Sequence, residues 1–172
     1  LEFWNKQKTQ EKLGTGLYYG AIFDPNGGSV HAVKLIKLLK TAAESQGVII
    51  YENSPVVSIS EGKNIIITVE TSGISYHVEA KDIVIATNAY TSKLGIFKNK
   101  IMPVHTQCAV TKPLTQSQLN VINWSSRLPF YDNRFLLFHL VLTPDNRIVI
   151  GGGNIDIYWN NGLKYKGNLA KV

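Results

Sequence analysis

With 172 residues, 44% of them apolar and 17% charged, the chain is long enough for one full domain or two small ones and too apolar to belong to the disordered class. Its net charge of +6 comes partly from Lys93, Lys98, Lys100 and Lys112, inside an acid-free stretch from Thr91 to Pro113, and from Lys164, Lys166 and Lys171 near the end. These lysines are scattered over loops and a terminus and not gathered on one face with aromatics between them, which argues for a solvated surface and against nucleic acid as a partner.

No run approaches the roughly 20 apolar residues of a membrane span. The start, Leu1-Glu2-Phe3-Trp4-Asn5-Lys6, lacks the apolar core of a secretory leader. The first residue is Leu, which suggests a processed or excised chain. Cys108 is the single cysteine, so no internal disulfide can form, and a cytoplasmic location is expected. Nothing sets an oligomeric state.

In chain order, the first dozen residues suggest a short helix or an incomplete sheet edge. Gly14-Thr15-Gly16 has Tyr19 where a dinucleotide loop needs a third glycine, and no strand precedes it. Asp24-Pro25-Asn26-Gly27-Gly28 is a turn cluster, with Ser29 at an N-cap position. Val30, Val33, Leu35, Ile36, Leu38, Leu39, Ala42 and Ala43 then form a wide apolar face at helical spacing, ended by Gly47. Val48 to Tyr51 reads as a short strand. The alternating runs Val56 to Ser60, Ile65 to Thr71 and Ile74 to Ala80, with turns at Glu61-Gly62-Lys63-Asn64 and Ser72-Gly73, predict an antiparallel meander.

Ile83-Val84-Ile85-Ala86, followed by Thr87-Asn88-Ala89-Tyr90, reads as a strand buried on both faces. Its small, polar carboxyl end is compatible either with an ordinary turn or with a nearby ligand. Beyond a basic loop at Lys93 to Lys100, Val104 to Thr111 is an expected strand. Thr115 with Gln118 is a capping box for a short helix through Ile122. Phe135 to Leu142 and Arg147 to Ile150 predict a hairpin around Thr143-Pro144-Asp145-Asn146, ended by Gly151-Gly152-Gly153.

The ionisable residues give little direct chemistry. His31, His77, His105 and His139 share no metal-ligand spacing, so no metal is expected. No serine sits in a nucleophile elbow. Cys108, inside an apolar run, is expected to be a buried, inert thiol. Asp132, Asp145 and Asp156 each lie beside turn or loop residues, so no catalytic side chain is assigned. The triple glycine admits two readings, a flexible strand exit or close approach by a flat ligand.

Taken in order, several segments resemble the middle of an FAD-dependent oxidoreductase of the D-amino-acid oxidase superfamily. The closest branch includes glycine oxidase, sarcosine oxidase and γ-glutamylputrescine oxidoreductase. The segments are 24–31, Gly47-Val48, Glu52 to Val56, Ile83 to Tyr90, Pro103-Val104, Leu142 to Ile148 and Gly151 to Gly153. The resemblance implies an α+β chain with two parts. One is a partial, Rossmann-like FAD-binding domain with the meander, over residues 1–97, with a possible substrate-domain edge at 1–20. The other is a mostly antiparallel substrate-domain sheet over 98–153, followed by a tail over 154–172.

The resemblance implies hydride transfer from the carbon beside an amine to flavin, on CH-NH or CH-NH2 groups of a small amine or amino acid. It places Val56, Ala86, Thr87, Asn88, Gly151, Gly152 and Gly153 at the cofactor, and His139 at the substrate. The Gly-rich phosphate loop of such enzymes is not among these residues, so the chain alone is expected to be inactive. His139, Leu140 and Val141 stand where relatives often carry aromatics followed by Arg, which leaves the substrate open. The alternative is a non-enzymatic binding or assembly module on the same scaffold.

Overall fold

The computed structural model describes residues 1–157, apart from the side chain of Asn154; most of the expected tail lies outside the described residues. Two compact units share these residues. One joins Leu1–His31 to His105–Asp156, and the other comprises Ala32–Val104. The chain is α+β, with antiparallel ladders in three separate sheets.

The first unit opens with β1 (Glu2–Asn5), α1 (Lys6–Leu13) and β2 (Gly20–Phe23); β1 and β2 pair antiparallel from Glu2↔Phe23 to Asn5↔Gly20. The first residues therefore supply both a helix and a sheet edge. Asn5 caps α1 by accepting from the Lys8 amide at 2.9 Å. Gly14 ends the helix in the left-handed region at φ 70°, where an L side chain is strained. Trp4 is buried and stacks on Phe23 with ring centroids 4.9 Å apart.

The same unit continues with β6 (His105–Val110), α3 (Gln116–Ile122), β7 (Phe130–Tyr131), β8 (Phe138–Leu142) and β9 (Ile148–Asp156). The expected capping box is formed: Thr115 Oγ1 accepts from the Gln118 amide, and Gln118 Oε1 accepts from the Thr115 amide. Its four strands lie in the order β6-β9-β8-β7. The expected hairpin forms, but β8 starts at Phe138 and leaves Phe135 fully exposed, while β9 runs on to Asp156 past the three glycines.

In the hairpin turn, Asn146 takes φ 63° and the Thr143 amide donates to the Arg147 carbonyl at 2.8 Å. Leu13, Trp124 and Leu142 form the core, with Leu119, Ile122, Phe130, Leu140 and Ile148 packed around them. Ser126 joins the two chain segments: its hydroxyl donates to the Lys12 carbonyl at 2.7 Å, and the Ser125 hydroxyl donates to the Glu11 carbonyl at 3.2 Å. Two of the carbonyls left open at the end of α1 are satisfied in this way.

In the second unit, α2 (Ala32–Ser45) begins three residues after Ser29, and none of its residues is buried. The meander matches the expected runs: β3 (Val56–Ser60), β4 (Ile65–Thr71) and β5 (Ile74–Ala80) pair antiparallel in that order. Ser72 and Gly73, at φ 54° and 78°, give the β4–β5 turn the left-handed pair that a two-residue hairpin needs.

Two expected strands are corrected. Val48 to Tyr51 and Ile83 to Ala86 belong to no sheet, and Val84 is 91% exposed. A strand covered on both faces needs neighbours on both edges, and the described residues supply none for these segments. A 3-10 helix over Asn88–Leu94 follows, capped at Gly95.

Candidate functional site

The residues expected at a cofactor or substrate fall into two sets, one in each unit. In the second unit, Val56 opens β3, which packs against the 3-10 helix that begins at Asn88. Ala86 and Thr87 end the extended stretch before that helix. Thr87 Oγ1 and Thr91 Oγ1 share a hydrogen bond at 2.8 Å, and Thr91 donates to the Asn88 carbonyl at 2.7 Å. Asn88 takes φ 46°, which turns the chain sharply at the end of the apolar run. The backbone amides of residues 83–86 have no hydrogen-bond partner among the described residues. Ala86 is small and exposed and the run before it is largely exposed, which leaves room beside this backbone among the described residues.

In the first unit, strand register assembles the second set. Cys108 pairs with Gly151, Gly151 with His139, and His139 with Tyr131. These four residues form one row across β6, β9, β8 and β7. Two residues along each strand, Val110, Val149 and Val141 form the neighbouring row on the same face. The intervening row, Ala109–Ile150–Leu140–Phe130, faces the opposite way, toward the Trp124 core. Cys108 is therefore exposed, which corrects the expected buried thiol: its apolar neighbours in sequence alternate between the two faces of the sheet.

The triple glycine is explained residue by residue. A Cβ on Gly151 would meet His139 Cε1 at 2.2 Å and Cys108 Sγ at 2.7 Å. Its bare backbone thus seats the imidazole and lets Cys108 Sγ come within 3.9 Å of His139 Nε2. On Gly152, at φ 102°, a Cβ would strike the Leu137 carbonyl oxygen at 1.9 Å; on Gly153 it would strike the Phe138 ring at 2.2 Å. Among the described residues, the flat groups that approach this backbone are His139 and Phe138.

Asp132 holds the approach to β8. Its carboxylate is buried, and Oδ1 accepts from the Phe138 amide at 3.0 Å and the Arg134 amide at 3.4 Å. Oδ2 lies 2.9 Å from Arg134 Nε as an ion pair, outside hydrogen-bond alignment. Burial raises the Tyr18 phenol above its usual range, and the Asp132 charge adds to that. Sequence reasoning reached His139 and Gly151 but missed Tyr131 and the role of Asp132. A two-residue strand leaves no periodic signal that could have revealed Tyr131.

No group of three or more His, Cys, Asp or Glu side chains that could hold a metal ion occurs among the described residues. Comparison with known proteins supplies the rest. The chain is 36% identical to the "Probable oxidoreductase OrdL" of Haemophilus influenzae over 158 residues, 88% of this chain and 35% of that protein. It is 27% identical to the γ-glutamylputrescine oxidoreductase of Escherichia coli over 159 residues, 89% of this chain and 35% of that protein. Against the human peroxisomal sarcosine oxidase it is 29% identical over 108 residues, 63% of this chain and 24% of that one. The chain thus spans about a third of the length of the first two relatives. The family described as FAD dependent oxidoreductase matches residues 1–168, and the chain belongs to that family.

Proposed function

We propose that this chain is the middle portion of a flavoprotein that oxidises an amine or amino acid at the carbon bearing nitrogen. The observation that carries the reading is the family match over residues 1–168, together with relatives named for glutamylputrescine and sarcosine. FAD supplies the hydride acceptor when bound. On this reading, residues of the second unit belong to a Rossmann-like FAD domain, with Val56, Ala86, Thr87 and Asn88 along the dinucleotide. The division expected near residue 97 moves to 104/105. Residues 1–31 go with the substrate side, because they share a core with 105–156.

The open face of the four-stranded sheet then forms a wall of the substrate site. Gly151 to Gly153 lie at its flavin end, and His139 presents its imidazole to the substrate. Valines beside that imidazole exclude water from the reacting carbon. In a cytoplasmic setting Cys108 stays a free thiol. The 172 residues alone are inactive, because they bring no phosphate-binding glycine loop to the pyrophosphate.

The test compares two polypeptides, this chain and the longer one that carries it, each titrated with FAD and followed by flavin fluorescence. The expected result is stoichiometric binding by the longer polypeptide only, and bleaching of its flavin by a primary or secondary amine without oxygen. A longer polypeptide that binds flavin but is reduced by no amine would overturn the proposed chemistry. Tight binding by the 172 residues would overturn their inactivity.

A further inference from the structure

The turn after β2 places a side-chain amide next to an unhindered backbone nitrogen. The Gly27 amide donates to the Asp24 carbonyl at 3.1 Å and the Asn26 amide to Asp24 Oδ1 at 2.9 Å, with Pro25 where its fixed φ suits the turn. Every residue from Asp24 to Val30 is exposed. The Asn26 carboxamide has no hydrogen-bond partner among the described residues. Gly27 carries no side chain to shield its nitrogen, and a Cβ on Gly28 would meet nothing within 4 Å.

We propose that Asn26 is a modification site, deamidating to isoaspartate and aspartate at a rate set by the Asp24 turn. The Gly27 nitrogen gives its proton to hydroxide and attacks Asn26 Cγ. The new N–Cγ bond closes a five-membered succinimide; the Cγ–Nδ2 bond breaks, and the nitrogen takes a proton from water and leaves as ammonia. Water then opens the ring. Breaking the new N–Cγ bond gives aspartate, and breaking the bond between the Gly27 nitrogen and the Asn26 carbonyl carbon gives isoaspartate. One water is consumed and one ammonia released, so the step needs neither oxidant, metal nor flavin.

The closed turn slows the attack in two ways. It keeps the Gly27 N–H on the Asp24 carbonyl, where the proton is not free to leave. Asp24 Cγ also lies 3.9 Å from where a Gly27 Cβ would sit, so its carboxylate opposes an anion on that nitrogen. Two exposed hydrogen bonds favour the closed turn over the open one by about fivefold to tenfold. Conversion puts a second negative charge beside Asp24, and isoaspartate adds a backbone methylene, so the original turn does not re-form.

The full-length protein that carries this chain is aged at mildly alkaline pH. The peptide holding position 26 is then separated, and its gain of one mass unit is read. The same protein in guanidinium chloride gives the rate of the open chain. Conversion in the folded protein is expected to be about fivefold to tenfold slower. Asp24→Ala brings the folded rate to within about twofold of the open-chain rate, and Asn26→Gln abolishes the conversion. Asp24→Asn keeps an acceptor without the charge and lies between; it carries the comparison if alanine unfolds the protein. Folded protein that converts as fast as the open chain overturns the proposal, as does an Asp24 variant that converts no faster than the parent. So does folded protein left unconverted when the open chain is fully converted, which would mean that other parts of the protein cover the turn.

Discussion

Replacing Gly14 with alanine tests how the start of the chain is locked to its later half. Gly14 takes φ 70°, which alone costs an alanine about 1–2 kcal/mol. The larger effect is crowding: the new Cβ would lie 2.0 Å from the Ile122 carbonyl oxygen and 2.8 Å from the Asn123 carbonyl carbon. Neither atom is the end of a flexible side chain, so α1 and α3 must separate by more than about 1 Å to restore ordinary contact. Separation loosens the hydrogen bonds from Ser125 and Ser126 to the Glu11 and Lys12 carbonyls, each contributing about 1 kcal/mol.

The total is about 3–4 kcal/mol. It would lower the urea midpoint by about 2 M for a unit of this size, followed through the fluorescence of Trp4 and Trp124. Gly14→Asn separates the two causes, since asparagine adopts the left-handed region readily but still carries a Cβ. Asparagine should therefore destabilise by at least 2 kcal/mol, roughly the crowding share. If Gly14→Asn instead returns to within about 0.5 kcal/mol of the parent, crowding against Ile122 is not what holds these helices together.

Two further outcomes follow from the same unit and its neighbour. In the β8–β9 turn, the Thr143 hydroxyl at 2.6 Å, and then Arg147 Nε at 2.9 Å, hold the Asp145 carboxyl below its ordinary value. A depressed folded value means that this contribution is complete above the unfolded pKa of about 3.9 and fades as pH falls below it. An NMR titration of Asp145 should show its midpoint below that value, with the Thr143 and Arg147 amides shifting in step; a midpoint at or above it refutes the account. Leu142→Ala, in the core beside Leu13 and Trp124, should cost about 3 kcal/mol, whereas Val84→Ala in the same 172-residue chain should change stability by under about 0.5 kcal/mol. Equal costs in urea titrations would mean that Val84 is buried within these residues after all.

What was legible in the sequence was local. The meander could be read because each of its strands pairs with its neighbour in sequence, and the Thr115 capping box because it closes within four residues. Ile83 to Ala86 misled because its β-branched run describes an environment, and no strand among the described residues provides it. The β1–β2 pairing went unseen because α1 separates two strands too short to show a period.

His139 and Gly151 were singled out separately, one through resemblance and the other as part of a glycine run. Their meeting depends on the register set by the Thr143 to Arg147 turn. The exposure of Cys108 followed from the same register, which no count of apolar neighbours could reveal.

The interruption of the first unit by residues 32–104 has a consequence for biosynthesis. Its opening 31 residues leave the ribosome about seventy residues ahead of the strands they pack against. At roughly 10 residues per second they wait several seconds with Leu13 uncovered. Closing that gap also costs about 4 kcal/mol of chain entropy, which falls on the first contacts made, those between α1 and the Trp124 segment. A nascent chain stalled before Ser126 would carry α1 without the hydroxyls that finish it, with Leu13 uncovered for a holdase to bind.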